Sequence, residues 1–176
     1  MPNYRRISHP GATSFFTVAL AQRHNNHLLV DHVVQLRAAF RHVQQRHPFT
    51  TDAVVIMPDH LHCLWTLPEG DADYSTRWRL LKSKFSRSIS DTEHRSQSLL
   101  KRQERGIWQR RFWAHLITDT DDFHRHADYI HWNPVKHGLV PRAADWPYSS
   151  FHRYVERGDY SADWGYEELV ENSFGE

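Results

Sequence analysis

The chain has 176 residues, 39% hydrophobic and 24% charged, with 22 Lys/Arg against 21 Asp/Glu. Its 7 Trp, 7 Tyr and 9 Phe supply too much buriable surface for a disordered chain. No apolar run approaches the roughly 20 residues of a bilayer span. A single cysteine, Cys63, excludes an internal disulfide and a Cys-rich zinc module.

A net charge of +1 conceals an asymmetry. Arg77 to Arg111 holds eleven Lys/Arg and three Asp/Glu, whereas Ala143 to Glu176 holds two Arg and eight Asp/Glu. A basic middle interleaved with Trp78, Phe85, Trp108, Phe112 and Trp113 suits a polyanion whose bases can stack, although a solvated helix face beside an acidic tail accounts for the same pattern. The N-terminal stretch lacks the apolar core of a secretory signal, so a soluble, cytoplasmic protein is expected, with no membrane association.

In chain order, Ser14–Leu20 is rich in β-formers after the Pro10-Gly11 turn and reads as the first strand. Leu28–Gln45 carries apolar residues at helical spacing and is closed by His47-Pro48. Phe49–Met57 and His60–Leu67 flank a tight turn at Pro58-Asp59 and read as a hairpin. Ser75–Ile89 is an amphipathic basic helix. The polar stretch Ser90–Gly106 reads as a loop or a weak helical extension. Trp113–Thr118 is the fourth strand. A further helix starts at Thr118 or Thr120 and runs through His131, closed by Asn133-Pro134. The order β-α-β-β-α-β-α predicts an α+β fold, a ferredoxin-like split βαβ antiparallel sheet with an additional helix. Residues 1–140 are expected to form the domain, with 141–176 as an aromatic-rich C-terminal tail packing on it.

Side chains alternate along a strand, so His60 and His62 share one face with Leu64 and Thr66. Leu61, Cys63, Trp65 and Leu67 take the other, the natural core face. Two imidazoles one pleat apart can hold one divalent ion, but a His-x-His pair alone is weak evidence in a chain with 15 His. The metallo-β-lactamase continuation, an Asp-His pair, is replaced here by Cys63-Leu64-Trp65. On a helix, Tyr129 and Asn133 are four residues apart and share a face. A core tyrosine and a C-terminal cap before Pro134 account for that pair as well.

Met57-Pro58-Asp59-His60-Leu61-His62 resembles the His-hydrophobic-His signature of the HUH endonucleases. Tyr129-Ile130-His131-Trp132-Asn133-Pro134-Val135-Lys136-His137-Gly138-Leu139-Val140 is similar to the tyrosine motif of the REP-associated tyrosine transposases. Pro10-Gly11-Ala12-Thr13, Trp108-Gln109-Arg110-Arg111-Phe112-Trp113 and Trp146-Pro147-Tyr148-Ser149-Ser150-Phe151-His152 extend the likeness from about Tyr4 to Trp164. The resemblance implies an HUH endonuclease fold whose additional helix is catalytic. It also implies metal-dependent cleavage and rejoining of single-stranded DNA folded as palindromic (REP-type) hairpins.

On that resemblance, Tyr129 is the nucleophile, and His60, His62 and Asn133 hold Mg²⁺ or Mn²⁺. His131 or Lys136, or the ion itself, assists loss of the phenolic proton. Arg77, Arg79, Lys82, Lys84, Arg87, Arg110 and Arg111 are expected phosphate contacts, and Arg5 and Arg6 contacts to bases beside the hairpin. The DNA partner implies association with the nucleoid. Two alternatives stay open: a non-catalytic binder of palindromic DNA, and an RNA-processing enzyme on the same scaffold. The active form is expected to be a monomer or a homodimer.

Overall fold

The computed structural model describes residues 9–91, 97–102 and 105–165. Four strands, β1 (Thr13–Ala19), β2 (Thr50–Ile56), β3 (His60–Thr66) and β4 (Trp113–Leu116), form one open sheet in the order β2-β3-β1-β4. Every neighbouring pair is antiparallel, so the split βαβ topology read from the element order is present. The helices are α1 (Leu28–Asp31), α2 (Val33–Arg46), α3 (Tyr74–Ser88), α4 (Gln97–Lys101), α5 (Thr120–Lys136) and α6 (Phe151–Glu156).

The alternation of side chains gives the sheet two buried faces. On one, Phe16, Val18, Leu61, Cys63 and Trp65 pack against Leu36 and Val43 of α2 and Trp78, Leu81 and Phe85 of α3. On the other, Phe15, Val55 and Leu64 pack against Ala127 and Ile130 of α5 and Tyr154 of α6. Six of the seven β3 residues are buried, and only Thr66 at its end is partly exposed. His60 and His62 therefore project into the layer between the sheet and α5. The tail covers the outer edge of β2: Ile56 N–H donates to Tyr148 O, Val54 N–H to Ser150 Oγ, and Ser150 N–H to Val54 O, each at 2.8 Å. Those bonds satisfy backbone groups that an open edge strand would expose.

Two expectations need correction, and a third falls partly outside the described residues. The helix expected over Leu28–Gln45 breaks at His32 (φ −113°, ψ 32°), because α1 is tied separately to the hairpin turn through Leu29 N–H to Pro58 O at 3.1 Å. Residues 90–106 contain the short helix α4, with 92–96 and 103–104 outside the described residues. The largest difference lies in α5, which does not stop at Asn133-Pro134 but runs through Pro134 to Lys136. Proline removes one helical donor without preventing the turn that follows it. That turn is closed by Gly138 (φ 67°), whose N–H donates to Val135 O while Leu139 N–H donates to Pro134 O, both at 2.9 Å. This double bond with a left-handed residue is a Schellman ending, and it favours glycine.

Arg77 is a further correction. It is 3% exposed, so its guanidinium is not at the surface to meet a phosphate. It instead donates to the Asp71 carboxylate, to Asp73 O at 2.8 Å and to Pro48 O at 2.8 Å, and it reaches His47 O at 3.2 Å. The fork thus ties α3 to the end of α2 and the start of β2. Arg77→Met is expected to destabilise the chain by about 3 kcal/mol, because it strands buried carbonyls and a carboxylate. Urea denaturation checks it, and an unchanged midpoint would refute the structural role.

Candidate functional site: a histidine pair facing a helix-borne tyrosine

The register of the sheet decides what surrounds the histidines. Thr17 on β1 is paired with His62, and Ala19 with His60. Thr17 Oγ1 lies 2.8 Å from His62 Nδ1, and Phe15, two residues earlier on the same face, stacks on the His62 ring at 5.6 Å. His60 follows the Pro58-Asp59 turn directly, so the Asp59 carboxylate reaches back to His60 Nδ1 at 2.7 Å. Arg23 Nε donates to the other Asp59 oxygen at 2.6 Å. Arg23 Nη2 also approaches His60 Nδ1 at 3.3 Å. Both of those nitrogens are donors once Nδ1–H serves Asp59, so this is an approach rather than a second bond.

The Asp59 carboxylate can only accept, so His60 carries its proton on Nδ1 and keeps its lone pair on Nε2, the arrangement of a metal-ligating histidine held by an outer partner. At His62 the Nδ1 partner is the Thr17 hydroxyl, which donates or accepts according to the ring's tautomer. Burial lowers the pKa of both rings, partly offset at His60 by the Asp59 carboxylate and strongest at His62. Neutral imidazole is the form that ligates. The rings are edge to face with centroids 4.9 Å apart.

From the opposite side, α5 delivers its residues at helical spacing. The Tyr129 ring is 5.3 Å from that of His62 and 6.0 Å from Phe15, and it remains 39% exposed. Asn133, one turn on, is fully buried, and neither its Oδ1 nor its Nδ2 has a hydrogen-bond partner of normal geometry. Its amide nonetheless stands close enough to His60 to raise that ring's pKa against the effect of burial. A buried carboxamide without a hydrogen bond of normal geometry, beside two imidazoles, is a donor set that a divalent cation would fit, since a buried amide without a partner is otherwise costly. Lys136 places its ammonium 5.3 Å from the Tyr129 ring centre.

Sequence reasoning missed several participants. His137 lies 5.4 Å from His60, and burial lowers its pKa. It is Asn133's i+4 neighbour, a relation hidden by ending the helix at Pro134. Asp59, Arg23 and Thr17 emerge only from the turn and the strand register. A second cluster, His115, Asp122 and His126, brings ligand atoms within 4.8 Å of one another. Its Asp122–His126 half is visible as an i, i+4 pair.

His131, expected to assist Tyr129, turns away from it. Two residues of helix rotate a side chain by about 200°. The His131 ring is buried under the tail, with Nε2 2.8 Å from Ser150 Oγ and Nδ1 3.2 Å from Tyr160 Oη, and Tyr160 donates to Asp128 (2.6 Å). Burial, with a smaller contribution from Arg153, lowers its pKa to about 3. Since this folded value lies below the unfolded 6.5, the unfolded chain binds the extra proton first. Stability is retained above pH 6.5 and lost as pH falls towards 3, by roughly 2 kcal/mol between pH 7 and pH 5. Urea denaturation at the two pH values should show that slope in wild type and a weaker one in His131→Leu. Equal slopes would exclude His131 as the source.

Among the expected phosphate contacts, Arg79, Arg87, Arg110 and Arg111 are exposed, and Lys82 and Lys84 are half-buried. Lys82 Nζ donates to Gln109 O at 2.8 Å. Arg79, Lys82, Lys84 and Arg87 stand on α3, across the sheet from the histidine pair. Arg5 and Arg6 lie outside the described residues. No described helix is long and apolar enough to cross a membrane.

An antiparallel four-stranded sheet with a His-x-His strand facing a tyrosine helix is the layout expected of a single-tyrosine transposase. The family model described as "Transposase IS200 like" matches residues 15–133. The REP-associated tyrosine transposase of Escherichia coli K12 is 46% identical over 164 residues, 93% of this chain and 91% of the relative. A Haemophilus influenzae relative is 45% identical over 166 residues, 94% of each chain. The solved structure of a REP-associated tyrosine transposase bound to a REP hairpin matches with a TM-score of 0.81 at 43% identity, covering 100% of this chain and 98% of that one. The chain belongs to the IS200-like transposase family and, within it, to the REP-associated tyrosine transposases.

Proposed function

We propose that the chain is a divalent-metal-dependent single-strand DNA endonuclease and strand transferase acting on REP-type hairpins through a 5′-phosphotyrosine. The observation that carries this reading is the meeting of His60, His62 and the unpartnered Asn133 amide beside the exposed Tyr129. His60, His62 and Asn133 would hold Mg²⁺ or Mn²⁺, which when bound supplies positive charge to the non-bridging phosphate oxygens. Imidazole ligands favour Mn²⁺.

Tyr129 Oη attacks phosphorus, the phenolic proton departs as the O–P bond forms, and the bond to the 3′-oxygen breaks to leave a 3′-hydroxyl. Lys136 stabilises charge developing on the phenol through the ring it overlies. Attack by another strand's 3′-hydroxyl on the phosphotyrosine restores a phosphodiester and frees Tyr129, so no nucleotide cofactor is consumed. Arg79, Lys82, Lys84, Arg87, Arg110 and Arg111, with Arg5 and Arg6, are proposed to contact the DNA, and binding should weaken as salt rises. The active form is proposed to be a monomer or a homodimer. Chromosomal DNA as substrate places its work in the cytoplasm, at the nucleoid.

Incubation with Mn²⁺ and a palindromic single-stranded oligonucleotide tests the reading. A nick with a protein-linked fragment, lost on chelation, is expected. Retarded bands without cleavage across many hairpin sequences would instead favour a DNA-binding protein that has no nuclease activity.

A further inference from the structure

Beside Tyr129, on the side away from His60, lies a cleft of about 400 Å³ lined by Phe15, Thr17, Trp113, Arg125, His126 and Tyr129. Its size falls in the range of about 300–1,000 Å³ typical of pockets that take one small ligand. We propose that this cleft receives a single unpaired base next to the scissile phosphate. This rests on the nuclease reading above and extends it to the bases at the cleavage point.

Three observations carry the assignment. First, the walls are aromatic and open. Trp113 is 48% and Tyr129 39% exposed, while Phe15 between them is 3% exposed and forms the floor. Phe15 meets Trp113 at 5.6 Å and Tyr129 at 6.0 Å, in both cases edge to face. Exposed rings flanking a slot are how sequence-tolerant single-strand sites hold bases.

Second, the Trp113 wall is buttressed by its neighbours. His115 stacks on Trp113 (5.8 Å, 6°) and on His126 (4.7 Å, 18°). The buried Asp122 carboxylate holds both imidazoles, His115 Nε2 at 2.9 Å and His126 Nδ1 at 3.1 Å, and is itself held by Thr118 N–H at 3.0 Å. Burial alone would raise the Asp122 pKa, but the bonds from His115 and Thr118 outweigh it and bring it to about 2. The His–Asp–His cluster thus closes on itself and acts as a brace for the aromatic wall. A site organised in advance binds without a large ordering cost.

Third, the polar groups suit a nucleotide. His126 Nδ1 faces two acceptors on Asp122, its backbone oxygen at 2.8 Å and a carboxylate oxygen at 3.1 Å. The proton therefore sits on Nδ1, and Nε2 is left as an acceptor for a base N–H. Arg125, with its side chain 71% exposed, stands at the rim and can stack on a base or meet a phosphate. The nucleophile lines the same cleft, so a base held there fixes the adjoining phosphate against Tyr129 Oη.

The test uses the full chain in chelator, with a fluorescein-labelled REP-type hairpin whose single-stranded flank carries one abasic site, moved along it position by position. Fluorescence anisotropy gives the Kd. One abasic position is expected to weaken wild-type binding by about ten-fold or more. Trp113→Ala should bind the intact hairpin correspondingly worse and be indifferent to that abasic site, while Trp113→Phe restores the dependence. Circular dichroism checks that Trp113→Ala folds. Equal losses at every abasic position, or a Trp113→Ala variant whose profile matches wild type, would overturn the assignment. Because no metal is present, this result is separable from the nuclease reading. Cleavage could fail while the abasic profile holds, and the profile could flatten while Tyr129 still cleaves.

Discussion

Tyr129→Phe is expected to bind hairpin DNA as wild type does and to form no covalent product, with cleavage reduced by roughly 10⁴-fold or more. The change removes a single oxygen. The ring keeps its edge contacts to His62 and Phe15 and its place under the Lys136 ammonium. Tyr129 is 39% exposed, so stability should change by about 0.5 kcal/mol or less. Denaturing gels of a Mn²⁺ reaction, beside anisotropy binding curves, separate the two effects. A Phe variant that cleaves at the wild-type rate would remove Tyr129 from the chemistry.

Asn133→Leu is expected to move stability and activity in opposite directions. In the absence of a ligand, the Asn133 amide is buried and neither of its polar atoms makes a hydrogen bond of normal geometry. A group in that condition costs about 1–3 kcal/mol relative to a satisfied one. Leucine of similar shape removes the cost, so the metal-free protein should be more stable by about 1 kcal/mol, read as a higher urea midpoint. The same change deletes the third candidate ligand, and Mn²⁺-dependent cleavage should fall at least about 100-fold. Sites kept for function at the expense of the fold behave in this way. If the variant is less stable and still cleaves, the amide is a structural hydrogen-bonding group and not a ligand.

Much of the layout could be read from local periodicities. A period of two put His60 and His62 on one face of β3, and a spacing of four put Tyr129 and Asn133 on one face of α5. The alternation of elements predicted a split βαβ antiparallel sheet, and the observed order β2-β3-β1-β4 has that topology. What was not legible depended on contacts remote in sequence. Arg77 has the spacing of an exposed basic residue, yet the carbonyls it serves come from residues about thirty positions away. Thr17 joins the site only through the β1–β3 register.

Two differences are local. Asn133-Pro134 reads as a helix end, although a proline disrupts the turn before it more than the turn after it. The helix continues to a glycine-closed end and brings Lys136 and His137 to the site. His131 stands two residues from Tyr129 in sequence, yet helical geometry separates their side chains by more than half a turn.

The most direct measurement is the identity of the atom that becomes joined to DNA. Wild-type protein, reacted with Mn²⁺ and a single-stranded REP-type hairpin, would be digested with protease and nuclease and the adduct located by mass spectrometry. A nucleotide attached through its 5′-phosphate to the peptide containing Tyr129 is the expected result. Cleaved DNA carrying a free 5′-phosphate with no adduct, or an adduct on any other residue, would contradict it.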